Sequence, residues 1–346
     1  FICVGTPNKK NSLSVDLSYV FKVANEIARS AKNNKIIVTK STVPVGTGDL
    51  LEKVFKNKKK FTVISNPEFL REGEAIRDFR FPDRIIVGSN AKNSINIMKN
   101  LYQPLLNKGA NFFTTNRRGA ELIKYASNAF LATKITFINE IANLCEKTGI
   151  NIEDISLGMG SDTRIGSRFL RAGPAYGGSC FPKDTKGLIS IAEKEKINLS
   201  IVKSVIKSNH KRKSLLFKRI DKFFGKNIKN KKIVFLGVTF KPNTDDMRDA
   251  VSLYMIPRLH KRKAIISYYD PTGEKKQFSK FKNCKFYPNI KEACKNADLV
   301  ILHTEWDAFK SLDFKKLLKN KRFFLYDLRN LYNVEQMQKK KIKYFS

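Results

Sequence analysis

Short apolar runs alternate with stretches of helical spacing through the first third of the chain. Residues 1–4, 35–40, 62–65 and 85–87 have the length and composition of buried strands. Between the first two, residues 18–31 carry apolar positions at helical spacing. Such alternation predicts a parallel sheet with helices on its faces. Ligands on such sheets bind beyond the carboxyl ends of the strands, where the turns Gly5-Thr6-Pro7 and Ser41-Thr42-Val43-Pro44 fall. The pattern then changes. From about residue 117 to 147, Ala120, Ile123, Ala126, Ala129, Phe130, Thr133, Phe137, Ile141 and Leu144 trace one long helix. Helices are expected again over 152–159, from Pro182 to about Lys194, and on to about Phe224, with a Gly-rich stretch over 158–178. Strand signals return at 232–238, 264–269, 299–303 and 323–327. The expected fold class is α/β, with parallel-sheet domains over 1–115 and 213–346 joined by a central all-helical domain over 116–212.

Composition narrows the function. A length of 346 residues suits two or three domains. Lys and Arg number 67 against 31 Asp and Glu, a formal charge of +36. The lysines are spread widely (Lys58 to Lys60; Lys229, Lys231 and Lys232; Lys339 to Lys341) and gather on no aromatic-studded arm. They read as a solvated surface whose field draws in anionic nucleotides, and no nucleic-acid partner is expected. Cys3, Cys145, Cys180, Cys284 and Cys294 form no C-x-x-C, and His210, His260 and His303 are far apart, so neither a disulfide scaffold nor a metal site is expected. No apolar run approaches the roughly 18 residues of a membrane span. Scattered cysteines fit a cytoplasmic setting. The chain opens with Phe1 inside an apolar run, so an upstream part is expected to be missing.

Five segments carry candidate chemistry. In Tyr176-Gly177-Gly178-Ser179-Cys180-Phe181-Pro182-Lys183-Asp184, the glycines allow close backbone approach and Pro182 opens a helix. Cys180 then stands at a helix N-terminus beside Lys183, a setting that favours a thiolate nucleophile. In Asn66-Pro67-Glu68-Phe69-Leu70-Arg71-Glu72, Asn66 is expected to cap a helix whose first turn places Glu68 and Glu72 on one face. Lys124 and Asn128 share a face of the long helix and could stabilise an oxyanion. Lys241 and Arg248, and the run Asp327-Leu328-Arg329-Asn330, follow strand ends where phosphates would be held.

In fixed order along essentially the whole chain, Val4-Gly5-Thr6-Pro7, Lys40-Ser41-Thr42-Val43-Pro44-Val45-Gly46, Asn66 to Gly73, Pro82-Asp83-Arg84, Lys124 to Asn128, Gly177 to Asp184, Phe240-Lys241-Pro242 and Asp245-Asp246-Met247-Arg248 resemble the UDP-glucose/GDP-mannose dehydrogenase family, and within it the group that oxidises UDP-glucose. The resemblance implies Rossmann-like outer domains and an NAD-dependent, four-electron oxidation of the sugar C6 alcohol to a carboxylate. Cys180 matches the nucleophile of thiohemiacetal and thioester intermediates. Lys124 and Asn128 match oxyanion stabilisers, Glu68 the acid/base in thioester hydrolysis, and Asp184 and Thr42 supports for a catalytic water. Val4, Gly5, Thr6, Pro7, Ser41, Thr42, Glu72, Lys183 and Arg248 match positions near the dinucleotide. Glu68, Phe69, Leu70, Arg71, Glu72, Lys124, Asn128, Arg164, Phe169, Arg171, Tyr176, Gly177, Phe240, Lys241 and Arg329 match substrate contacts, Arg164 reaching into a partner subunit's site. The family forms homodimers through the long central helix. GDP-mannose is the alternative substrate. Two departures stand out. The family's opening G-x-G-x-x-G turn, within about 75–80 residues of a βαβ start, is absent, so this chain alone is expected to bind NAD poorly and to be inactive. Leu328 stands where some members have Gly.

Overall fold

The computed structural model describes residues 1–10, 12–56, 61–318 and 322–346. The lysine run over 58–60 lies outside them. The chain divides into two compact units, one of residues 1–130 and 183–203, the other of residues 131–182 and 204–346. No helix is long and apolar enough to cross a membrane among the described residues.

The first unit is built on α1 (Ser18–Ser30), β1 (Lys35–Thr39), α2 (Thr47–Val54), β2 (Phe61–Ser65), α3 (Ala75–Arg80), β3 (Arg84–Gly88), α4 (Lys92–Leu106) and β4 (Asn111–Thr115). Its sheet runs β1-β2-β3-β4. Alternate strand residues face opposite ways, as a pleat requires. Ile37 and Val63 pack with Val20, Ala24 and Leu51 on one side; Val38, Ile64, Ile85 and Val87 pack with Met98 and Tyr102 on the other. Two expectations need correction. The sheet is not wholly parallel: β2 and β3 meet antiparallel at Ser65 and Gly88. The opening strand over 1–4 is reduced to one bridge, Ile2 to Thr39.

Helix α5 (Arg117–Thr148) begins in this unit, as does most of α7 (Phe181–Lys194). Gly187 of α7 faces Tyr125 of α5; a Cβ there would stand 2.7 Å from the Tyr125 ring. Close approach at Gly187 is what brings the first turn of α7 against α5.

The second unit holds the rest of α5, α6 (Ile152–Gly160), most of α8 (Ser200–Phe223), β5 (Lys232–Leu236), α9 (Ser252–Lys261), β6 (Ile265–Tyr269), β7 (Cys284–Phe286), α10 (Ile290–Cys294), β8 (Leu299–Leu302), α11 (Phe314–Leu317), β9 (Phe324–Asp327), α12 (Val334–Lys339) and β10 (Lys343–Phe345). Its six-stranded sheet is parallel throughout, in the order β10-β9-β8-β5-β6-β7. The central strands are buried on both faces, so they read as unbroken apolar runs (Ile-Val-Phe-Leu from Ile233, Leu-Val-Ile-Leu from Leu299).

Candidate active site

In the first unit, two turns are tied together at the carboxyl end of β1. Ser41 Oγ accepts from the Val4 N–H at 2.8 Å and donates to the Val4 carbonyl at 2.7 Å. Thr6, buried, donates its hydroxyl to the Thr42 carbonyl at 2.8 Å. Gly5 has open space where a Cβ would stand. Thr6 and Thr42, distant in sequence, thus form one polar ledge open on the Gly5 side. A nucleotide cofactor laid across strand ends could rest on such a ledge.

The helix expected to start after Asn66 does not form; residues 66–70 are extended loop. Asn66 is fully buried, its amide donating to the Ile86 carbonyl at 2.7 Å and accepting from the Tyr102 hydroxyl at 2.6 Å. Its side chain bridges the interior instead of capping, so Glu68 and Glu72 do not share a helical face. The loop instead turns Glu68 inward. Its carboxylate accepts from the Leu70 N–H at 2.6 Å and from Lys124 Nζ at 3.4 Å. The Lys124 ammonium also lies over the Phe69 ring, 5.0 Å from its centroid, and the Arg84 guanidinium covers the same ring at 4.1 Å. Glu72 is half-buried. The exposed Arg71 guanidinium pairs with Asp78 and Glu74, each at 2.7 Å.

Lys124 is 3% exposed and Asn128 6% exposed. Asn128 Nδ2 donates to Asp184 Oδ2 at 2.6 Å, and Lys183 Nζ pairs with Asp184 Oδ1 at 2.6 Å. Asp184 is buried in the first turn of α7. A carboxylate near a helix N-terminus is favoured by the dipole, and here it orients an amide and an ammonium together. Within this unit the structure therefore gathers Glu68, Phe69 and Lys124 in one cluster, and Asn128, Lys183 and Asp184 in another, a turn of α5 apart.

Two further polar groups in this unit escape the sequence reading. Glu121 is 3% exposed on α5 and accepts from the Gly46 and Gly48 N–H groups, both at 2.7 Å, and from Ser65 Oγ at 3.0 Å. Burial pushes its carboxyl above the ordinary value, against the pull of these three donors. Arg117, Glu121, Lys124 and Asn128 are all buried at spacings of four, three and four, a polar stripe along one helix face that the sequence displays once one looks for it. Lys40 is the other. Burial brings its pKa down from 10.5 to about 8, Glu68 and Cys3 pulling it back up and Lys124 pushing it further down.

In the second unit, Cys180 is exposed and directly precedes α7. Ser179 Oγ lies 3.4 Å from its sulfur. The preceding turn leaves no room for side chains. A Cβ on Gly177 would meet the Asp249 carbonyl at 2.8 Å, and one on Gly178, which has φ +79°, would meet the Phe240 ring at 2.6 Å. The Gly178 N–H donates to the Arg248 carbonyl at 2.7 Å. Tyr176 is held by paired hydrogen bonds to Asn209 (2.9 and 3.1 Å), and its ring stands edge-on to Phe181 at 6.2 Å. Phe169 packs on the same ring at 6.1 Å with φ +66°, a conformation that non-glycine residues rarely adopt.

Gly177, Gly178, Tyr176 and Phe240 are thus brought together, with Arg248 paired to Asp246 at 2.8 Å beside them. Lys241 Nζ lies 5.6 Å from the Phe240 ring centroid. Arg329 is built into the scaffold: it donates to the His303 carbonyl at 2.8 Å and the Phe240 carbonyl at 2.6 Å, and lies 2.9 Å from Glu305. Arg171 is exposed, 3.5 Å from the Asn330 carbonyl. Arg164 is exposed and paired with Asp162 at 2.6 Å. Among the described residues no group of three or more His, Cys, Asp or Glu could hold a metal.

Residues 1–106 match the NAD binding domain of the UDP-glucose/GDP-mannose dehydrogenase family, 118–211 its central domain and 234–334 its UDP binding domain. The UDP-glucose 6-dehydrogenase of Rhizobium meliloti (strain 1021) is 45% identical across the whole chain, which covers 80% of that relative. The UDP-glucose 6-dehydrogenase of Bacillus subtilis (strain 168) is 41% identical, with 79% of its length covered by the whole chain. The structure of a UDP-glucose dehydrogenase from the archaeon Pyrobaculum islandicum superposes with a TM-score of 0.88 at 32% identity, over 97% of this chain and 77% of that one. With three domains matched in order and such relatives aligned end to end, the chain belongs to the UDP-glucose/GDP-mannose dehydrogenase family.

Proposed function

We propose that this chain oxidises the C6 alcohol of UDP-glucose to the carboxylate of UDP-glucuronate, with Cys180 as the covalent nucleophile. The observation that carries the reading is an exposed thiol placed directly before α7, whose first turn bears the buried Asp184 bonded to Asn128. NAD, when bound, accepts a hydride in each of two oxidation steps. Loss of the alcohol proton and the first hydride gives an aldehyde. The Cys180 thiolate adds to that carbonyl, forming a C–S bond and an alkoxide that Lys124 and the Asn128 amide stabilise. The thiohemiacetal then loses its second hydride and becomes a thioester. Water, activated by Glu68 and supported by Asp184 and Thr42, cleaves the C–S bond to give carboxylate and free thiol. The sequence consumes two NAD⁺ and one water.

Thr6, Thr42, Glu72, Lys183 and Arg248 serve the dinucleotide in this reading. Phe69, Leu70, Arg71, Arg171, Phe169, Tyr176, Gly177, Phe240, Lys241 and Arg329 serve the nucleotide sugar, and Arg164 acts in the partner subunit of a homodimer. Five free cysteines, one of them needed as a thiolate, fit a reducing cytoplasm.

The test is product formation with UDP-glucose and NAD by the protein carrying the family's G-x-G-x-x-G turn ahead of residue 1. Cys180→Ala should abolish acid formation, and Cys180→Ser should accumulate a sugar ester visible by intact mass, because an oxygen ester hydrolyses far more slowly at this site. Full turnover by the alanine variant would refute the nucleophile, and a clear preference for GDP-mannose would overturn the substrate.

A further inference from the structure

We infer that Glu121 is a positioning residue for this reaction: it holds the turn after β1 and the loop after β2 in register with the face of α5 that carries Lys124 and Asn128. Three segments of the first unit meet at its carboxylate. Gly46 and Gly48, whose N–H groups it accepts at 2.7 Å each, begin α2 directly after the Ser41–Pro44 turn. Ser65, whose hydroxyl it accepts at 3.0 Å, ends β2 immediately before the Asn66–Leu70 loop. Glu121 itself lies one turn of α5 before Lys124. A single carboxylate so spans the segments bearing Thr42, Glu68 and Lys124.

The packing around it is close. A Cβ on Gly48 would stand 3.0 Å from Glu121 Oε1 and 3.0 Å from Arg117 Cδ. Gly46 has φ +88° and caps α2 without a side-chain hydrogen bond of its own. The start of α2 is therefore held both locally, by Thr47 on the Pro44 carbonyl, and by a carboxylate 73 residues away in sequence. Burial pushes the carboxyl's pKa up and the three donors pull it back down, so these hydrogen bonds offset part of the cost of burying the carboxylate.

The inference rests on the proposed dehydrogenase reading for its catalytic consequence but not for its structural one, so two readouts are needed. Glu121→Gln keeps shape and size but sets an NH₂ against one of three donors. In this variant, amide hydrogen exchange should rise at least tenfold in segments 41–48 and 66–70 while β1 and β3 stay protected. In the same protein, kcat with UDP-glucose and NAD should fall about 10–100-fold. KM should change less than threefold, and the deficit should persist at 10 °C, where the variant is fully folded. Unchanged exchange in both segments would overturn the hold, whatever the activity. Raised exchange with unchanged kcat would overturn the positioning role. If the unsubstituted protein, assayed with the family's G-x-G-x-x-G turn ahead of residue 1, fails to turn over UDP-glucose, the dehydrogenase reading falls, and exchange still decides the hold. Should Glu121→Gln not fold, Ser65→Ala removes one arm of the same network and should show the exchange change in segment 66–70 alone.

Discussion

A lysine stripped of water prefers to lose its proton, and Lys40 is the clearest case in this molecule. Its ammonium lies 5.9 Å from the Tyr102 ring centroid, facing Glu68, Cys3 and Lys124. Burial outweighs the help from Glu68 and Cys3 and adds to the repulsion from Lys124, giving a pKa of about 8 in place of 10.5. The sign follows from linkage. The folded value is depressed, so this group's stabilising contribution is complete above 10.5 and is lost as pH falls through 8. At neutral pH the charged Lys40 therefore costs stability. Lys40→Met should stabilise the fold at pH 7 by an amount on the order of 1–3 kcal/mol, read as a raised Tm. The gain should shrink above pH 8 and vanish near 10.5. A Tm difference that stays flat across that range would show that Lys40 is fully solvated. The sequence contained Lys40 in plain view beside Ser41 and Thr42. Nothing in its neighbours along the chain announced that Tyr102, Glu68 and Lys124 would surround it, because those come from three other elements.

Elements were legible in proportion to how well their own residues fix them. Helix α5 was drawn from its spacing alone to within a residue of Arg117–Thr148, since thirty-two residues of regular pattern leave little choice. The strands buried on both faces, β5 and β8, were equally plain. The misses share a cause. Strand β4 (Asn-Phe-Phe-Thr-Thr) is an edge with little burial, and β7 and β10 are three-residue edges, so none shows an apolar run. Asn66 failed as a cap because a capping residue and a buried bridge look identical in sequence; only the Tyr102 hydroxyl and Ile86 carbonyl distinguish them. The Gly177-Gly178 turn was legible as a turn, but its reason, the Phe240 ring and the 248–249 backbone pressed against it, was not. That reason gives a prediction. Gly178→Ala must accommodate φ +79° and a 2.6 Å clash with a ring, and should destabilise the loop by about 2 kcal/mol or more. The displacement should cost at least tenfold in kcat/KM, because Cys180 follows two residues later. Ala at Gly158, where a Cβ meets nothing within 4 Å, is the control and should leave Tm within two degrees. Equal rates for the two variants would show that the tight turn does not place the thiol.

Association of copies is decided by two opposing features of the whole chain. Leu122, Phe130, Phe137 and Leu144 of α5 are 44%, 66%, 46% and 59% exposed, at intervals of eight, seven and seven residues. Intervals of about seven place them along one side of the helix, a line about 33 Å long at 1.5 Å per residue. Single exposed apolar residues are ordinary, but an unbroken line of four large ones is the pattern of a buried face, and a self-complementary helix face suits a two-fold pair. Against this stands a formal charge of +36, which makes two copies repel. The repulsion is long-ranged and screened by salt, whereas the apolar contact is short-ranged and strengthened by it. A homodimer through α5 should therefore tighten as salt rises from 50 to 500 mM, the reverse of what ion-pair association would do. Light scattering after gel filtration should give twice the 39.6 kDa chain mass at micromolar concentration. Phe137→Glu, which sets an unpaired carboxylate in the middle of the line, should give the single mass at every salt concentration with an unchanged circular dichroism spectrum. The same variant should lose turnover if Arg164 serves the partner's site, and mixing it with an Arg164→Ala variant should restore none. A native chain that runs as a monomer at 500 mM salt would refute the interface, and a dimer that loosens with salt would mean that charge, not the α5 stripe, holds it together.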